Sequence, residues 1–434
     1  MKIAVAGTGY VGLVTGVCLS EQGHHVTCVD VDTNKIILMK SGKSPIYEPG
    51  LSELMTKNLD RLTFTTDYND AYQDADVVII AVGTPEKADG SANLSYVFGV
   101  AEEIASSITK ECVVIVKSTV PIGTNDEVEN ILNNNTAGVK VYVASNPEFL
   151  AQGTAVQDTL HASRIVLGVN EKFAEERLVE MYKDFDAPII VCKRRSAEMI
   201  KYASNDFLAL KISYMNEVAN LCEEIGANIE DVAKGMGFDE RIGKRFLHAG
   251  IGYGGSCFPK DTKALHHLSA ENGCEMRTVK ATIDVNEVQK FKLSVKARKY
   301  YPDYSGLTIA VLGLTFKPGT DDLREAPSLV NIPVFLEDGA TVKAWDPVGI
   351  DNFKKRIIND KLLYCDTIEE TLAEADICFI FTEWQDVKDV SFETYEKLMK
   401  EPIIMDGRNC YSLKTIGNAK VLYESIGREI VDHR

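Results

Sequence analysis

The sequence lacks the features that mark membrane, secreted, zinc-binding and nucleic-acid-binding proteins. No apolar run approaches the roughly 18 residues of a membrane-spanning helix, and the first segment is a strand without the regions of a signal peptide. The ten cysteines are scattered without a C-x-x-C pair, so neither a disulfide framework nor a zinc site is indicated. The chain has no excess of positive charge, since 64 acidic residues outnumber 47 basic ones and give a net charge of −17, which argues against non-specific nucleic-acid binding. We expect a cytoplasmic, metal-free protein with no membrane or nucleic-acid partner.

What remains is the composition of an ordinary globular protein. The chain has 434 residues, of which 45% are hydrophobic and 26% charged, and it contains no low-complexity tract. Its length predicts two or three domains. Because the chain is acidic overall, an anionic ligand must meet a local cluster of basic residues.

Short apolar runs alternate with helical stretches, which is the pattern of parallel βαβ units. In open α/β sheets the carboxyl ends of the strands hold the ligands, and Asp30, Thr84, Thr119 and Glu148 follow predicted strands. The first five predicted strands are residues 3–6, 26–29, 77–82, 113–117 and 141–144. The C-terminal third echoes this order, since residues 2–7, 26–30 and 75–80 resemble residues 308–313, 342–346 and 375–380.

A long helix is predicted between the two repeats. Residues 196–226 contain no proline and no glycine before Gly226, and their apolar residues recur at helical spacing. About 30 residues at about 1.5 Å each make a helix of about 45 Å. Lys201 and Asn205 are four positions apart and share one face of it. We therefore predict an α/β protein with two Rossmann-like, doubly wound domains joined by a long central helix within a helical middle domain.

The first ligand motif, GTGYVG, directly follows the first strand. Gly7 makes the tight turn, Gly9 lets the backbone approach a pyrophosphate, and Gly12 packs the helix on the strand. Asp30 at the end of the second strand accepts from the adenosine ribose and repels a 2′-phosphate, which favours NAD over NADP. Lys35 weakens that preference slightly, because a nearby cation tolerates a phosphate.

The second motif, GIGYGGSCFPKD at residues 250–261, sets Cys257 among four glycines and before Lys260 and Asp261. A free thiol has a pKa of ~8.5, and a nearby lysine and an N–H-rich turn lower it. A thiol can hold an aldehyde as a thiohemiacetal, let it be oxidised again, and release an acid by hydrolysis. With a nicotinamide site, Cys257 therefore predicts a four-electron oxidation of an alcohol to a carboxylate. The other nine cysteines are interpreted as small buried hydrophobes.

Together these motifs make the chain resemble the nucleotide-sugar 6-dehydrogenases of the UDP-glucose/GDP-mannose dehydrogenase family, essentially from end to end. The other matching motifs are VGTP at residues 82–85, STV at 118–120, NPEFL at 146–150, EMIKY at 198–202, GLTFKP at 313–318, TDDLR at 320–324 and DGRN at 406–409. SCFPK at residues 256–260 and FLALK at 207–211 look like the branch that acts on UDP-glucose. The GDP-mannose branch typically has a leucine after the cysteine, and the N-acetylhexosamine branch a histidine before it.

The resemblance implies an NAD-binding Rossmann domain at residues 1–195, a central helical dimerisation domain at 196–295, and a UDP-binding Rossmann-like domain at 296–434. It implies oxidation of UDP-glucose to UDP-glucuronate with two NAD⁺ and one water, in nucleotide-sugar metabolism and polysaccharide biosynthesis. It also implies a homodimer or a larger homo-oligomer.

Catalytic roles follow from the same resemblance, with Cys257 as the nucleophile. Lys201 transfers a proton or stabilises an oxyanion, and Asn205 helps to hold the anionic intermediate. Glu148 is the general base for thioester hydrolysis, because water is a poor nucleophile. Asp261 and Thr119 position that water.

The resemblance further implies the binding residues. The NAD contacts are Gly7, Gly9, Tyr10, Val11, Gly12, Asp30, Lys35, Thr84, Thr119, Gln152 and Arg324. The substrate contacts are Glu148, Phe149, Leu150, Lys201, Asn205, Arg241, Gly254, Phe316, Lys317 and Arg408. In the family, the arginine matching Arg241 comes from the neighbouring subunit, so a complete site needs a dimer.

Two places depart from the family pattern. Gln152 stands where many relatives have glutamate, and because an amide takes no proton, any acid–base role there falls to Glu148. Ala162 and Ser163 precede Arg164 where relatives often have proline and an acidic residue. We expect this second change to alter a loop and not the chemistry.

Three other functions fit parts of the pattern. A sister enzyme acting on GDP-mannose or another UDP-hexose shares the motifs, and a substrate panel separates it. A two-electron β-hydroxyacid dehydrogenase also pairs a Rossmann domain with a long helix, but it does not need Cys257 and yields one NADH per substrate. A nucleotide-sugar or NAD-sensing module without catalysis binds ligand and forms no NADH.

Overall fold

The computed structural model describes residues 1–434. The chain forms two compact units, Met1–Ser204 and Asn205–Arg434. None of its helices combines the length and the apolar character needed to cross a membrane. The division into three domains at residues 195 and 295 stays a prediction.

The first unit is an eight-stranded sheet with helices on both faces. Its strands are β1 (Lys2–Ala6), β2 (His25–Val29), β3 (Leu62–Thr65), β4 (Val77–Ile80), β5 (Cys112–Val116), β6 (Val141–Ser145), β7 (Ile165–Gly168) and β8 (Ile189–Cys192). Its helices are α1 (Tyr10–Glu21), α2 (Thr33–Lys40), α3 (Leu51–Lys57), α4 (Tyr68–Tyr72), α5 (Ser95–Ser107), α6 (Thr124–Asn135), α7 (Ala155–Leu160) and α8 (Lys172–Met181). All five strands expected from the sequence are present, with ends shifted by no more than two residues.

The strand order β3-β2-β1-β4-β5-β6-β7-β8 contains the doubly wound 3-2-1-4-5-6 arrangement. Every pairing is parallel except that of β6 with β7. Alternate residues of β1 enter two different cores, with Ile3 and Val5 in one and Ala4 and Ala6 in the other. The sheet is therefore buried on both faces, as a parallel sheet requires.

The second unit combines helices with a seven-stranded sheet. Its helices are α10 (Ile229–Gly237), α11 (Phe258–Glu271), α12 (Arg277–Gln289), α13 (Lys292–Ala297), α14 (Pro327–Glu337), α15 (Ile350–Lys354), α16 (Ile368–Leu372), α17 (Gln385–Lys388) and α18 (Phe392–Leu398), with a 3₁₀ helix at Leu413–Ile416. Its strands are β9 (Thr308–Leu312), β10 (Thr341–Trp345), β11 (Leu362–Tyr364), β12 (Ile377–Ile380), β13 (Ile403–Asp406), β14 (Leu422–Glu424) and β15 (Val431–Asp432).

The order β11-β10-β9-β12-β13-β14-β15 repeats the doubly wound arrangement of the first sheet. The three sequence echoes therefore correspond to equivalent strands, because β9, β10 and β12 occupy the places of β1, β2 and β4. The prediction of two Rossmann-like domains is confirmed.

The long helix expected between the repeats is α9 (Arg194–Ile225), which has 32 residues. It ends before Gly226, whose φ of 73° is the left-handed conformation that closes many helices. The boundary between the two compact units falls within this helix, after Ser204. Lys201 therefore belongs to the first unit and Asn205 to the second, one helical turn apart along the chain.

Candidate active site

The dinucleotide loop joins β1 to α1 in the first unit. Gly7 has a φ of 95°, a conformation that glycine adopts without strain. A Cβ on Gly12 would lie 2.0 Å from the Gly7 carbonyl oxygen, so α1 packs against the strand end only because this residue is glycine. The start of α1 consequently faces the loop with its N–H groups, which suits a pyrophosphate.

Asp30 directly follows β2 and carries a charged carboxylate. It accepts hydrogen bonds from the backbone N–H groups of Thr8 and Asp32, both at 3.0 Å. Burial alone raises the pKa of Asp30, but the hydrogen bonds from Thr8 and Asp32 and the charge of Lys35 outweigh it, so the pKa lies below its usual range. The Lys35 ammonium is 3.6 Å from the carboxylate. These two residues were predicted separately, and the structure joins them as an ion pair.

Other predicted cofactor residues lie at the ends of neighbouring strands. Thr84, after β4, donates from its hydroxyl to the carbonyl oxygen of Thr119, after β5, at 2.9 Å. Tyr10 opens α1 and donates from its hydroxyl to the carbonyl oxygen of Tyr47 at 2.8 Å. The structure therefore brings Thr84 and Thr119 together at one sheet edge.

Glu148 and Lys201 form a buried ion pair. The Lys201 ammonium lies 2.8 Å from Glu148 Oε1, and both residues are buried. The other carboxylate oxygen accepts a hydrogen bond from the Leu150 N–H at 2.7 Å. Phe149 lies between Glu148 and Leu150 in sequence, and the centre of its ring is 5.6 Å from the Lys201 ammonium. A carboxylate in hydrogen-bond contact with an ammonium group can pass a proton in either direction.

Lys117 is a buried cation that no sequence motif indicates. Its ammonium donates to Asn146 Oδ1 at 2.9 Å, and the Tyr182 hydroxyl donates to the same oxygen. Burial lowers the pKa of Lys117 to about 8, with Glu148 opposing the change and Lys201 adding to it. The amine therefore responds to the charge state of the Glu148–Lys201 pair.

The segment containing Gln152 is held by Glu48, a second residue that no sequence motif indicates. Glu48 is buried and accepts hydrogen bonds from the Gly153 and Ala155 N–H groups, both at 2.7 Å. These groups open α7, so the carboxylate stabilises the helix start. Arg164, which follows α7 in sequence, places its guanidinium 3.7 Å from the centre of the Phe149 ring.

In the second unit, Cys257 lies exposed at the position that precedes α11. Its carbonyl oxygen accepts from the Asp261 N–H at 2.8 Å, which closes the first turn. The partial positive charge of a helix N-terminus favours a thiolate. An exposed thiol in this position suits nucleophilic attack, whereas eight of the other nine cysteines are buried or half-buried.

Asp261 links two of the predicted catalytic positions. One of its carboxylate oxygens accepts from the Asn205 amide at 2.7 Å, and the other accepts from the Lys260 ammonium at 2.5 Å. The motif predicts Lys260 beside the thiol, but in the structure its ammonium is paired with Asp261. Asn205 and Asp261 are therefore a buried, hydrogen-bonded pair, and Asp261 lies one helical turn after Cys257.

The glycine loop before Cys257 is shaped by Phe316. Gly255 has a φ of 85°, and a Cβ there would lie 2.8 Å from the Phe316 ring. A Cβ on Gly254 would lie 2.5 Å from the carbonyl oxygen of Glu325. The Gly255 N–H donates to the carbonyl oxygen of Arg324 at 2.7 Å. The loop therefore lies flat against two segments of the C-terminal sheet domain.

Arg408, which follows β13, braces this loop. Its guanidinium donates to the carbonyl oxygens of Gly252 at 3.0 Å, Phe316 at 3.2 Å and Phe381 at 2.8 Å. Lys317 places its ammonium 5.6 Å from the Phe316 ring. The structure thus gathers the predicted substrate residues Gly254, Phe316, Lys317 and Arg408 around one loop.

Two predicted arginines are engaged locally. Arg241 is paired with Asp239 and its side chain is 88% exposed. Arg324 is paired with Asp322, and its side chain is more than half exposed. A cavity of about 540 Å³ opens beside Arg408, with Lys234, Lys244 and His248 also in its wall. Glu230 and several apolar side chains complete this wall, so basic residues do not line the cavity alone.

The fold and the site define the class of protein, which is a nicotinamide-dependent dehydrogenase. The defining features are two doubly wound sheets, a glycine-rich dinucleotide loop with an acidic residue after β2, and an exposed thiol at a helix start. Three domain models match in order: the NAD binding domain at residues 1–186, the central domain at 195–288 and the UDP binding domain at 310–413. The chain belongs to the UDP-glucose/GDP-mannose dehydrogenase family. The resemblance seen in the sequence is confirmed, and NAD is the cofactor.

Relatives of known sequence match over the full length. The UDP-glucose 6-dehydrogenase YwqF of Bacillus subtilis is 49% identical over 99% of this chain and 98% of its own. The UDP-glucose 6-dehydrogenase of Rhizobium meliloti is 45% identical over 99% of this chain and all of its own. A UDP-glucose dehydrogenase from Pyrobaculum islandicum has a similar structure, with a TM-score of 0.92, 37% identity and 98% of both chains covered.

Proposed function

We propose that this protein oxidises UDP-glucose to UDP-glucuronate, using two NAD⁺ and one water and holding the sugar covalently on Cys257. The observation that carries the proposal is the exposed Cys257 thiol at the start of α11, followed by the buried Asn205–Asp261 pair. The names of the Bacillus and Rhizobium relatives support UDP-glucose as the substrate.

The covalent step explains how one site performs two oxidations. NAD⁺, which the glycine loop would hold, would supply the hydride acceptor for both. In the first oxidation, the proton of the C6 hydroxyl would leave through the Glu148–Lys201 pair. After the first, the Cys257 thiolate attacks the C6 aldehyde, so a carbon–sulfur bond forms and the carbonyl oxygen becomes an oxyanion. The second oxidation converts this thiohemiacetal into a thioester. Water then attacks the thioester, the carbon–sulfur bond breaks, and the thiolate leaves as the carboxylate forms.

The charged side chains have complementary roles in this scheme. Lys201 and Asn205 donate hydrogen bonds to the oxygen at C6, where negative charge develops. Glu148 takes the proton from the attacking water, and its contact with the Lys201 ammonium supports a proton relay between the two. Asp261 orients the Asn205 amide through their 2.7 Å hydrogen bond. Thr119 helps to position the water.

The remaining predicted residues bind the two ligands. The glycine loop with Tyr10 and Val11, together with Asp30, Lys35, Thr84, Thr119, Gln152 and Arg324, holds NAD. The diphosphate of the substrate meets Lys317 and Arg408, which lie beside the glycine loop. Phe149, Leu150, Gly254 and Phe316 pack against the nucleotide sugar, and Arg241 completes the site of a neighbouring subunit.

The stoichiometry of NADH tests the proposal directly. With NAD⁺ in excess and UDP-glucose limiting, we expect two NADH for each sugar consumed, because each oxidation removes one hydride. One NADH per sugar would discard the covalent double oxidation. Turnover of GDP-mannose or another UDP-hexose in place of UDP-glucose would support a dehydrogenase but contradict UDP-glucose as its substrate.

A homodimer through α9 is the second part of the proposal. One face of this helix exposes large apolar side chains at intervals of four to eight residues, and their exposed fractions are 38–67%. These residues are Met199, Phe207, Tyr214, Leu221 and Ile225. Large exposed apolar stripes mark interfaces, and a second copy of the same helix supplies a matching stripe. Such a dimer also gives the exposed Arg241 a neighbour to reach.

Leu221→Glu is expected to convert the dimer into a 47.9 kDa monomer. A buried leucine contributes roughly 1.5–3 kcal/mol, and a charge in an apolar interface adds a desolvation cost, so dimer affinity falls at least about 100-fold. The mass is measured by light scattering during gel filtration, and kcat/KM for UDP-glucose should fall with it. Ile358→Glu, at an isolated and highly exposed isoleucine, is the matched control and keeps the dimer. A dimeric Leu221→Glu protein would contradict the interface.

A further inference from the structure

Asp206 carries a buried carboxyl group that the proposed reaction does not use. It follows Asn205 on α9 and is 5% exposed. Neither of its carboxyl oxygens has a hydrogen-bond partner on another residue. Buried polar atoms in folded proteins are nearly always hydrogen-bonded, so this carboxyl group is an exception that calls for a physical explanation.

The titratable groups that face Asp206 come from two other elements. Asp261 of α11 acts on it as a negative charge, and Tyr253 of the glycine loop lies close enough to be influenced by it. The Tyr253 hydroxyl is itself engaged with Thr262 and Ser213. Burial and, after it, the charge of Asp261 raise the pKa of Asp206 to about 8. At neutral pH, Asp206 is therefore mostly an uncharged carboxylic acid.

Asp261 has both of its oxygens committed. It holds the Asn205 amide at 2.7 Å and the Lys260 ammonium at 2.5 Å. A second negative charge on Asp206 would repel Asp261 in an interior where charges are weakly screened. Lys260 can follow Asp261, since its ammonium is only partly buried, but the buried Asn205 amide cannot.

We propose that the proton on Asp206 keeps Asp261 in contact with Asn205, which makes Asp206 a proton-gated positioning residue. When this proton leaves to solvent, the two carboxylates repel each other and the Asn205 amide loses its partner. The orientation of the amide, and with it the stabilisation of charge on the substrate, then weakens. The effect on turnover rests on the proposed function, in which Asn205 and Asp261 act on the sugar.

Asp206→Asn tests the proposal, because the amide has the same shape and does not ionise. We expect the kcat of the unaltered enzyme for UDP-glucose to be at least about fivefold lower at pH 9.5 than at pH 7.5, as for loss of one essential proton. The Asp206→Asn variant should lose less than about twofold over this range and match the unaltered enzyme near pH 6.5. Glu337→Gln, at an exposed carboxylate on α14, is the control and keeps the original profile. Coincident profiles for Asp206→Asn and the unaltered enzyme would overturn the proposal.

Thermal unfolding gives a readout that does not depend on turnover. Because the folded-state pKa of Asp206 lies above the unfolded value, its protonation stabilises the fold fully below about pH 4. That stabilisation is lost as pH rises through about 8. The difference obtained by subtracting the Tm of the unaltered protein from that of Asp206→Asn should therefore increase by about 10 °C between pH 5 and pH 9. A Tm difference that stayed constant with pH would contradict a protonated Asp206, and this outcome does not depend on UDP-glucose being the substrate.

Discussion

Replacing Cys257 by alanine is expected to abolish the second oxidation, and with it the formation of UDP-glucuronate, while UDP-glucose still binds. The thiol lies exposed at the start of α11, so its removal leaves no cavity in the core. Loss of the attacking group should lower kcat by at least roughly 10³-fold, as for other covalent catalysts. NADH absorbance measures turnover, and isothermal titration measures binding. Cys257→Ser should be equally inactive, because a serine hydroxyl at this position is a much weaker nucleophile.

Cys274→Ala is the matched control, since Cys274 is the other exposed cysteine. This variant should keep full activity.

In Glu148→Gln, which lacks the proposed base for hydrolysis, the thioester should accumulate and intact-mass spectrometry should detect the sugar nucleotide on the protein. An active Cys257→Ala enzyme that made UDP-glucuronate would refute the covalent mechanism.

Lys201→Met is expected to cost both activity and stability. Removing a donor to the developing oxyanion lowers kcat by roughly 10²–10³-fold. The same change leaves the Glu148 carboxylate buried without its 2.8 Å ammonium partner, and breaking a buried ion pair costs about 3–5 kcal/mol. For a unit of this size, the expected fall in Tm is roughly 10 °C. Steady-state kinetics and differential scanning calorimetry measure the two effects.

The double variant Lys201→Met, Glu148→Gln separates these effects. Neutralising the carboxylate removes the unpaired charge, so most of the lost Tm should return, because a neutral pair costs less to bury. Activity should not return, since both proposed acid–base groups are gone. A Lys201→Met enzyme that lost less than tenfold in kcat would show that this ammonium does not act on the substrate.

The fold was largely accessible from the sequence because its signals are local. Five short apolar runs became β1, β2, β4, β5 and β6, since each had the length and β-branched composition of a buried strand. The long helix followed from a stretch without proline or glycine, and it ended before Gly226 as expected. The predicted and observed strand ends differ by one or two residues, which is the usual uncertainty in assigning the ends of an element.

The site was less accessible where its contacts join distant segments. The motifs identified Arg408 as a contact for the substrate, but nothing in the sequence relates it to the carbonyl oxygens of Gly252 and Phe316. Lys117 and Asp206 were missed for another reason. Their altered pKa values come from burial, which depends on the packing of several elements and leaves no mark at a single position.

Arg408 also determines when the cysteine loop can take its final shape during synthesis. It follows Gly252 by 156 positions, which takes a ribosome roughly 8–30 s to translate at about 5–20 residues per second. Throughout that interval the nascent chain already contains Cys257, but it lacks the guanidinium that ties the loop to Phe316 and Phe381. A chain that terminates before β13 would therefore carry the proposed nucleophile and its partners without a braced loop around them. Late truncations should consequently yield a reactive but unproductive thiol.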